Sequence, residues 1–160
     1  MSHLIGAGIA LAVAAFAQRA NAQVFGSTAH TVTVQVAPIT VIGVDLAALT
    51  LQISSGTPGQ ETMTVTDATS KLLWGTNSSN QKITANTDNA APLFDLRLVA
   101  VNPTGGSVTS EFSLSTTPHD LLLNVGQSLG SCTLQYRGVA LASQAPGSDT
   151  HVITFTVQSQ

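Results

Sequence analysis

The sequence predicts an all-β protein, a single Ig-like or jelly-roll-type β-sandwich of about eight to ten antiparallel strands preceded by an N-terminal signal helix. Apolar and polar residues alternate with a period of two through most of the chain. Clusters of Gly, Pro, Asn and Ser separate the alternating runs, and no long helical period follows residue 22. Strands that recur about every 8–12 residues between such turns are typical of sandwiches and barrels.

The first 22 residues have the pattern of a secretory signal peptide. Residues 4–17 form an uncharged apolar run of about 14 residues, which suits a signal-peptide core and is short for a bilayer span. Ala20 and Ala22 provide a cleavage site, and Ala15 and Ala17 provide a second candidate. The alternative is an uncleaved anchor or a buried helix. We therefore expect a secreted protein, extracellular or at the cell surface after periplasmic transit, with no membrane insertion once residues 1–22 are removed.

The charge of the remaining chain excludes two classes of partner. Eight acidic residues stand against four basic residues beyond Arg19, which gives a net charge of −4. Because no basic cluster occurs, we expect no nucleic-acid binding and no attraction to an anionic membrane surface. Only 8% of the residues are charged, well below the roughly one quarter typical of soluble domains. Such a composition is typical of extracellular β-proteins and repetitive surface assemblies.

The predicted strands follow from runs in which every second residue is apolar. Alternation of this kind indicates half-buried strands, and the abundant Val, Ile and Thr favour the same state. In one run Asp95 and Arg97 share the polar face, so we expect them to lie together on the solvent side. The runs are residues 31–36, 39–44, 49–53, 62–66, 94–98, 112–115, 132–136 and 152–157.

Turn-forming residues separate these runs. Gly and Asn tolerate positive φ and Pro presets φ, so residues 54–59, 75–80, 102–106 and 145–148 are predicted turns. One short helix is also possible, because Thr117 offers an N-cap and Pro118 a first helical position. Gly126 would end that helix, and we expect a single turn at most.

The candidate catalytic and metal-binding motifs have simpler explanations. Residues 126–130 match the pattern G-x-S-x-G around Ser128, but no predicted helix follows, so a turn between strands is favoured over a nucleophile elbow. His30, His119 and His151 show no metal-ligand spacing. His119 beside Asp120 indicates the start of a helix rather than a catalytic dyad. We therefore expect no enzyme activity, no catalytic residue, no metal and no cofactor.

Three further features of the sequence each have two interpretations. The polar residues Asn86, Asp88 and Asn89 in the segment 84–91 could hold calcium, although a turn rich in Asn and Asp is the default. The aromatic residues to consider for sugar stacking are Phe25, Trp74 and Tyr136, of which Trp74 is expected to cap the core. Cys132, the only cysteine, is expected to be a buried thiol, with an intermolecular disulfide as the alternative.

The segment that carries the functional hypothesis precedes the main domain. Residues 23–38 form an N-terminal extension that begins flexible, becomes an alternating strand at residues 31–36 and ends at Pro38. That strand could pair within its own sheet as an ordinary first strand. It could also cross into a neighbouring subunit as a donor strand, with Val32, Val34 and Val36 filling the neighbour's groove. The β-sandwich domain is predicted over residues 39–160.

The layout resembles a loose group of small exported bacterial β-sandwich proteins. The resemblance rests on residues 31–36, 80–85, 115–121 and 152–157, covers most of the chain after residue 22 and is carried by packing and turn signals. It is broadly similar to donor-strand pilins and other filament subunits. It implies an architecture and transfers no functional residue, and chaperone–usher pilins often contain an internal disulfide that this chain cannot form.

The sequence thus leads to one functional hypothesis and one alternative. The first is a structural, pilus-like subunit of an extracellular filament or surface assembly, built by strand addition between copies of the chain. The alternative is a monomeric secreted adhesin or glycan-binding module with its specificity in the loops. The alternative predicts an exposed aromatic or acidic patch at one end of the sandwich.

Overall fold

The computed structural model describes residues 26–160, so the predicted signal peptide and Phe25 lie outside the described residues. The chain divides into two compact units, Met1–Gln35 and Val36–Gln160. The described part of the first unit, residues 26–35, contains neither helix nor strand and is exposed throughout. All ten strands of the described chain belong to the second unit.

The second unit is all-β and consists of two antiparallel sheets. The first sheet contains β1 (Thr40–Val44), β2 (Thr62–Asp67), β3 (Lys71–Thr76), β5 (Asp95–Val101), β7 (Phe112–Ser113) and β9 (Ser128–Leu141). The second sheet contains β4 (Gln81–Thr87), β6 (Ser107–Val108), β8 (His119–Val125) and β10 (Ile153–Ser159). The strand order is β1-β3-β9-β5-β7 in the first sheet, with β2 also paired to β9, and β10-β4-β8-β6 in the second.

Strand β9 is the central element of the first sheet. Its 14 residues pair with β3 through the first half and with β2 through the second half, both on the same side. The register shifts by one residue between Asp67 opposite Tyr136 and Lys71 opposite Thr133. Strand β5 pairs along the other side of β9. The alternating run at residues 132–136 therefore lies in the best-connected strand of the sheet.

One core joins the two sheets and gives the unit a sandwich-like architecture. In β2, β9 and β10 the more buried residues alternate with more exposed ones, as the period of two predicts. The largest fully buried side chains come from both sheets: Leu72, Leu98 and Leu134 from the first, and Ile83, Leu121, Leu122, Val125 and Thr87 from the second. Burial of these side chains is the main stabilising contribution to the fold.

The strand predicted at residues 49–53 is not formed. These residues belong to a stretch without strand between β1 and β2, although Leu51 and Ile53 are half-buried. Their terminal methyl groups lie 3.8 and 3.9 Å from the position that a Cβ on Gly138 would occupy. The two side chains therefore cover a glycine of β9. The alternation at residues 49–53 therefore indicates that every second side chain is partly buried. It does not indicate a hydrogen-bonded strand.

The helical turn predicted after Thr117 is also wrong, because those residues lead directly into β8. Leu121 and Leu122 are adjacent and both fully buried, which a regular strand does not allow. The register against β4 shifts by one residue on either side of the pair Ile83 and Leu122, and these β-bulges turn both leucines inward. No helix within residues 26–160 is long and apolar enough to cross a bilayer.

The first strand of the described chain is β1, and the strand predicted at residues 31–36 does not form within the chain. Residues 26–39 contain no strand. Val32, Val34 and Val36 are 70%, 83% and 74% exposed. Alternating valines favour the extended state, but a strand becomes stable only when a neighbouring strand supplies the ladder of hydrogen bonds and an apolar surface.

Candidate functional site

Two strand edges lie together on one side of the second unit. Strand β1 ends the first sheet, β10 ends the second, and the two strands are in contact. Within residues 36–160 no further strand pairs with either of them on its outer side. An unpaired edge presents a row of backbone N–H and C=O groups that another strand can use. We call this pair of edges the open side.

The hydrogen bonds at the ends of β1 show which residues face its free edge. The N–H of Asn77 donates to the carbonyl of Ile39 at 3.2 Å, and the N–H of Asp45 donates to the carbonyl of Lys71 at 3.1 Å. Because bonding alternates along an antiparallel ladder, the odd-numbered residues of β1 bond to β3. Three even-numbered residues therefore direct their backbone groups outward and their side chains inward: Thr40, Ile42 and Val44.

The same reasoning applies to β10. The N–H of Asp88 donates to the carbonyl of Val152 at 3.1 Å, and the N–H of Gln160 donates to the carbonyl of Asn80 at 3.0 Å. The even-numbered residues of β10 therefore bond to β4. The odd-numbered residues face the free edge, and three of them are apolar and half-buried against the core: Ile153, Phe155 and Val157.

Neither edge carries a charge. Residues 40–44 and 153–159 contain no Asp, Glu, Lys or Arg. Proteins commonly protect edge strands with charged side chains, proline or bulges, because a flat uncharged edge pairs readily with another strand. Within residues 40–44 and 153–159, neither edge of the open side has charge or proline as such protection.

Asn77 fixes the chain where it enters β1. Its side-chain Oδ1 accepts a bond from the N–H of Ile39 at 2.7 Å, and its Nδ2 donates to the carbonyl of Ala37 at 2.8 Å. Its own carbonyl accepts a bond from Gln127 Nε2 at 2.8 Å. The side-chain amide thus continues the β1–β3 ladder around Pro38. The sequence placed Asn77 only in a turn, because the partners are 38 to 50 residues away.

An apolar patch lies on the outer face of the first sheet beside β1. We define it by Ile39, Val41, Leu73 and Leu129, which are 54%, 57%, 47% and 87% exposed. Leu129 Cδ2 and Val41 Cγ2 lie only 2.7 and 3.1 Å from the position that a Cβ on Gly75 would occupy. The two side chains therefore close over the backbone of Gly75. This patch could not be predicted from the sequence, because it depends on three strands from distant parts of the chain.

Ser128 lies where a turn joins two strands. It is the first residue of β9, and its Oγ donates to the carbonyl of Gly126 at 3.2 Å. The strand, not a helix, continues from it. The turn predicted for the G-x-S-x-G pattern is thereby confirmed, and the geometry of a nucleophile elbow is not present at Ser128.

The histidines of the described chain have separate partners. The ring of His119 stacks on Phe112 at a centroid distance of 5.1 Å, and its Nε2 lies 3.3 Å from Ser115 Oγ. Asp120 instead pairs with Lys82 at 2.9 Å. His151 Nδ1 lies 3.1 Å from Thr87 Oγ1. Within residues 26–160 no three or more His, Cys, Asp or Glu side chains converge on a point that could hold a metal ion.

Two of the three polar residues considered for calcium accept hydrogen bonds from backbone N–H groups. Asn86 lies within β4. Asp88 Oδ1 accepts a bond from the N–H of Val152 at 2.8 Å, which holds the chain at the start of β10. Asn89 Oδ1 accepts a bond from the N–H of Ala91 at 3.1 Å, the geometry of an Asx turn.

Two of the three aromatic residues noted in the sequence, and the single thiol, are buried, whereas Phe25 lies outside the described residues. Trp74 and Tyr136 are 4% and 7% exposed and belong to the core, as expected for Trp74. Cys132 is a free thiol, 2% exposed. Burial raises the pKa of the Cys132 thiol to about 11, so the thiol remains protonated and unreactive near neutral pH.

No protein-family model matches this sequence, and no curated protein matches it. The function of the open side therefore has to be argued from its own residues.

Four charged side chains form a cluster on the outer face of the first sheet. Arg97 on β5 lies directly opposite Arg137 on β9. Asp95 Oδ2 accepts a bond from Arg97 Nε at 2.6 Å, as expected from their shared face, and this bond raises the pKa of the Arg97 guanidinium. Glu111 Oε2 accepts a bond from Arg137 Nη2 and lies 3.9 Å from Arg97 Nη1. Glu111 thus separates two facing positive charges.

We expect Glu111→Gln to destabilise the protein by about 1 kcal/mol, because two facing guanidinium groups lose their shared counter-charge. The measurement is the urea midpoint of unfolding at low and high salt, and the loss should shrink as salt screens the repulsion. Asp120→Asn is the matched control. It removes the more exposed pair with Lys82 and should cost no more than about 0.5 kcal/mol. Equal losses for the two variants would contradict the role of Glu111.

Proposed function

We propose that this protein is a non-enzymatic structural subunit of an extracellular filament or surface assembly, built by β-strand addition between copies of the chain. One observation carries the proposal. Residues 31–36 have the alternating valines of a strand, yet they are unpaired in the described chain with valines 70–83% exposed. Exposed apolar residues at alternating positions are costly in a monomer and become favourable when another sheet covers them.

The architecture supports the same proposal. We propose that the two sheets form an Ig-like or jelly-roll-type sandwich, with the open side as its unsealed flank. The opposite ends of the sheets are the short strands β7 and β6, of two residues each. Those strands offer little to an incoming strand, whereas β1 and β10 have five and seven residues. The open side is thus the better acceptor.

The spacing of side chains fits strand addition at β10. Ile153, Phe155 and Val157 direct side chains inward and backbone groups to the free edge. In an antiparallel pair, residues directly opposite one another place their side chains on the same face. The three valines of a donor segment, two residues apart, can therefore lie beside the three apolar residues of β10 and extend the core.

The alternative of a monomeric glycan-binding adhesin predicts an exposed aromatic or acidic patch at one end of the sheets. The aromatic residues do not favour it. Trp74 and Tyr136 are buried in the core, and none of the aromatic side chains within residues 26–160 is exposed.

The test compares the purified chain with a Val32→Ser/Val34→Ser/Val36→Ser variant by negative-stain electron microscopy over a range of concentrations. We expect regular filaments from the unaltered chain and none from the variant, since serine removes the apolar contacts and leaves the strand uncharged. Val108→Ser/Leu141→Ser is the matched control, because both residues are exposed and lie outside the segment. Its filaments should be unchanged.

A chain that begins at Ala37 gives a second measurement. It should remain folded and fail to polymerise, because it lacks the donor segment but keeps the sheets. Monodisperse particles from the unaltered chain at every concentration, or filaments that persist without the segment, would rule out strand addition by residues 31–36.

A further inference from the structure

Gly43 on β1 marks an unfilled position on the outer face of the first sheet. Gly75, one strand further in, is covered by Leu129 on one side and Val41 on the other. Gly43 lies opposite Leu73, but nothing approaches within 4 Å of the position that its Cβ would occupy. Leu73, its partner on β3, does not reach this position. The side toward the free edge has no residue of the described chain to cover it.

The free edge of β1 is self-complementary. Thr40, Ile42 and Val44 direct their backbone groups outward, and these positions are symmetric about Ile42. An antiparallel pair of two β1 strands therefore places Ile42 opposite Ile42 of the second copy and Thr40 opposite Val44 of the second copy. In this register all three outward-facing residues of each strand are in hydrogen-bonded pairs. A register shifted by two residues loses one of these three hydrogen-bonded pairs.

The same register fills the position over Gly43. Val41 lies opposite Gly43 of the second copy, since these residues are one position before and one position after Ile42. Val41 of one copy then covers Gly43 of the other from the edge side, as Val41 covers Gly75 within its own chain. We infer that β1 is a homodimerisation strand, which pairs antiparallel with β1 of a second copy about a twofold axis at Ile42.

The chemistry of the edge suits this occupant. Residues 39–44 contain no charge, so two identical copies meet without repulsion. The apolar patches of the two copies become continuous across the axis, which buries part of the exposed surface of Val41 and Leu73. An isologous contact of this kind closes at two copies and cannot by itself produce a filament.

The pair also bears on the proposed function. Because β1 is in contact with β10, a chain paired through β1 holds the second copy beside the edge that the proposed donor strand would use. We expect the dimer to compete with strand addition at β10 and so to hold subunits back from polymerisation. This last step rests on the proposed function. The dimer itself does not require residues 31–36.

The experiment measures the dimer dissociation constant by sedimentation equilibrium. It uses the Val32→Ser/Val34→Ser/Val36→Ser chain, so that strand addition does not contribute. We expect a monomer–dimer equilibrium that Val41→Lys weakens by at least about tenfold, because the valine that covers Gly43 is lost and two like charges become diagonal neighbours on one face of the paired strands. Val108→Lys is the matched control, an exposed valine on edge strand β6, and should leave the constant unchanged. A monomer at every concentration, or equal effects of the two lysines, would overturn the inference.

Disulfide trapping tests the register directly. Opposite residues in a non-hydrogen-bonded pair have Cα atoms about 4.5 Å apart, within the range of a disulfide. A mixture of Val41→Cys chains and Gly43→Cys chains should form several-fold more cross-linked dimer than either chain alone. Cys132 does not interfere, because it is buried and protonated. Val41→Cys chains that cross-link equally well alone would overturn the assigned register. Filaments without this dimer would leave the proposed function standing and refute only this inference.

Discussion

Gly130→Ala is expected to lower the free energy of unfolding by about 3 kcal/mol or more, whereas Gly126→Ala should change it by less than about 1 kcal/mol. A Cβ on Gly130 would lie 2.4 Å from Trp74 Cε2 and 2.6 Å from the carbonyl oxygen of Thr104. A Cβ on Gly126 would meet nothing within 4 Å. Gly126 lies in the turn before β9 and Gly130 is the third residue of β9. Neither glycine has a positive φ, so the comparison isolates the steric effect.

The clash at Gly130 has no inexpensive relief. The indole of Trp74 is 4% exposed and surrounded by the core, so it cannot swing outward without leaving a cavity. Thr104 is held in place by three hydrogen bonds with Ser131. Its N–H donates to the Ser131 carbonyl at 2.8 Å, its Oγ1 donates to the same carbonyl at 3.2 Å, and its Oγ1 accepts the Ser131 N–H at 2.8 Å. Either the tryptophan or this bridge has to be displaced.

Urea unfolding followed by tryptophan fluorescence measures the effect, because Trp74 is the only tryptophan. A typical domain has about 5–15 kcal/mol of stability in total, so a loss of about 3 kcal/mol should lower the Gly130→Ala midpoint by at least about one fifth to three fifths. Similar midpoints for the two alanine variants would mean that the strand shifts away from Trp74 at little cost.

The period of two located most strands because burial on one face is a local property of the sequence. It could not show which of the alternating segments are hydrogen-bonded to a neighbouring strand. Residues 49–53 alternate because Leu51 and Ile53 cover Gly138, and residues 31–36 alternate without any partner in the described chain. Alternation indicates which side chains are stabilised by contact with an apolar surface. Whether a ladder forms depends on neighbours supplied from elsewhere.

The candidate site shows the same limit. The segment that we propose as a donor strand could be singled out from the sequence, because its three valines are close together in the chain. The open side could not be identified, because it follows from strand order: β1 reaches β9 only through β3, and β10 reaches β8 only through β4. The role of Asn77 and the patch around Gly75 were missed for the same reason.

Strand β8 provides the second large expected effect. Leu122→Ala should lower the free energy of unfolding by about 2–5 kcal/mol, the range for a fully buried leucine that leaves a cavity. Leu123→Ala should cost much less, because Leu123 is only half-buried and lies opposite Ser107. A helical turn, as the sequence predicted here, would not separate these two neighbours so sharply.

The comparison with Leu121→Ala makes the test specific to the bulges. In a regular strand one of two adjacent leucines faces solvent, and its replacement by alanine is nearly neutral. Here the register shifts between β4 and β8 turn both Leu121 and Leu122 into the core, each with no exposed surface. Both alanine variants should therefore lose stability to a similar extent in the same urea measurement. A large loss for one and almost none for the other would mean that β8 alternates regularly and that the bulges are absent. Asn124 in this strand has a φ of 55°, in the left-handed region that asparagine tolerates better than most side chains, and it adjoins the stretch where the register shifts.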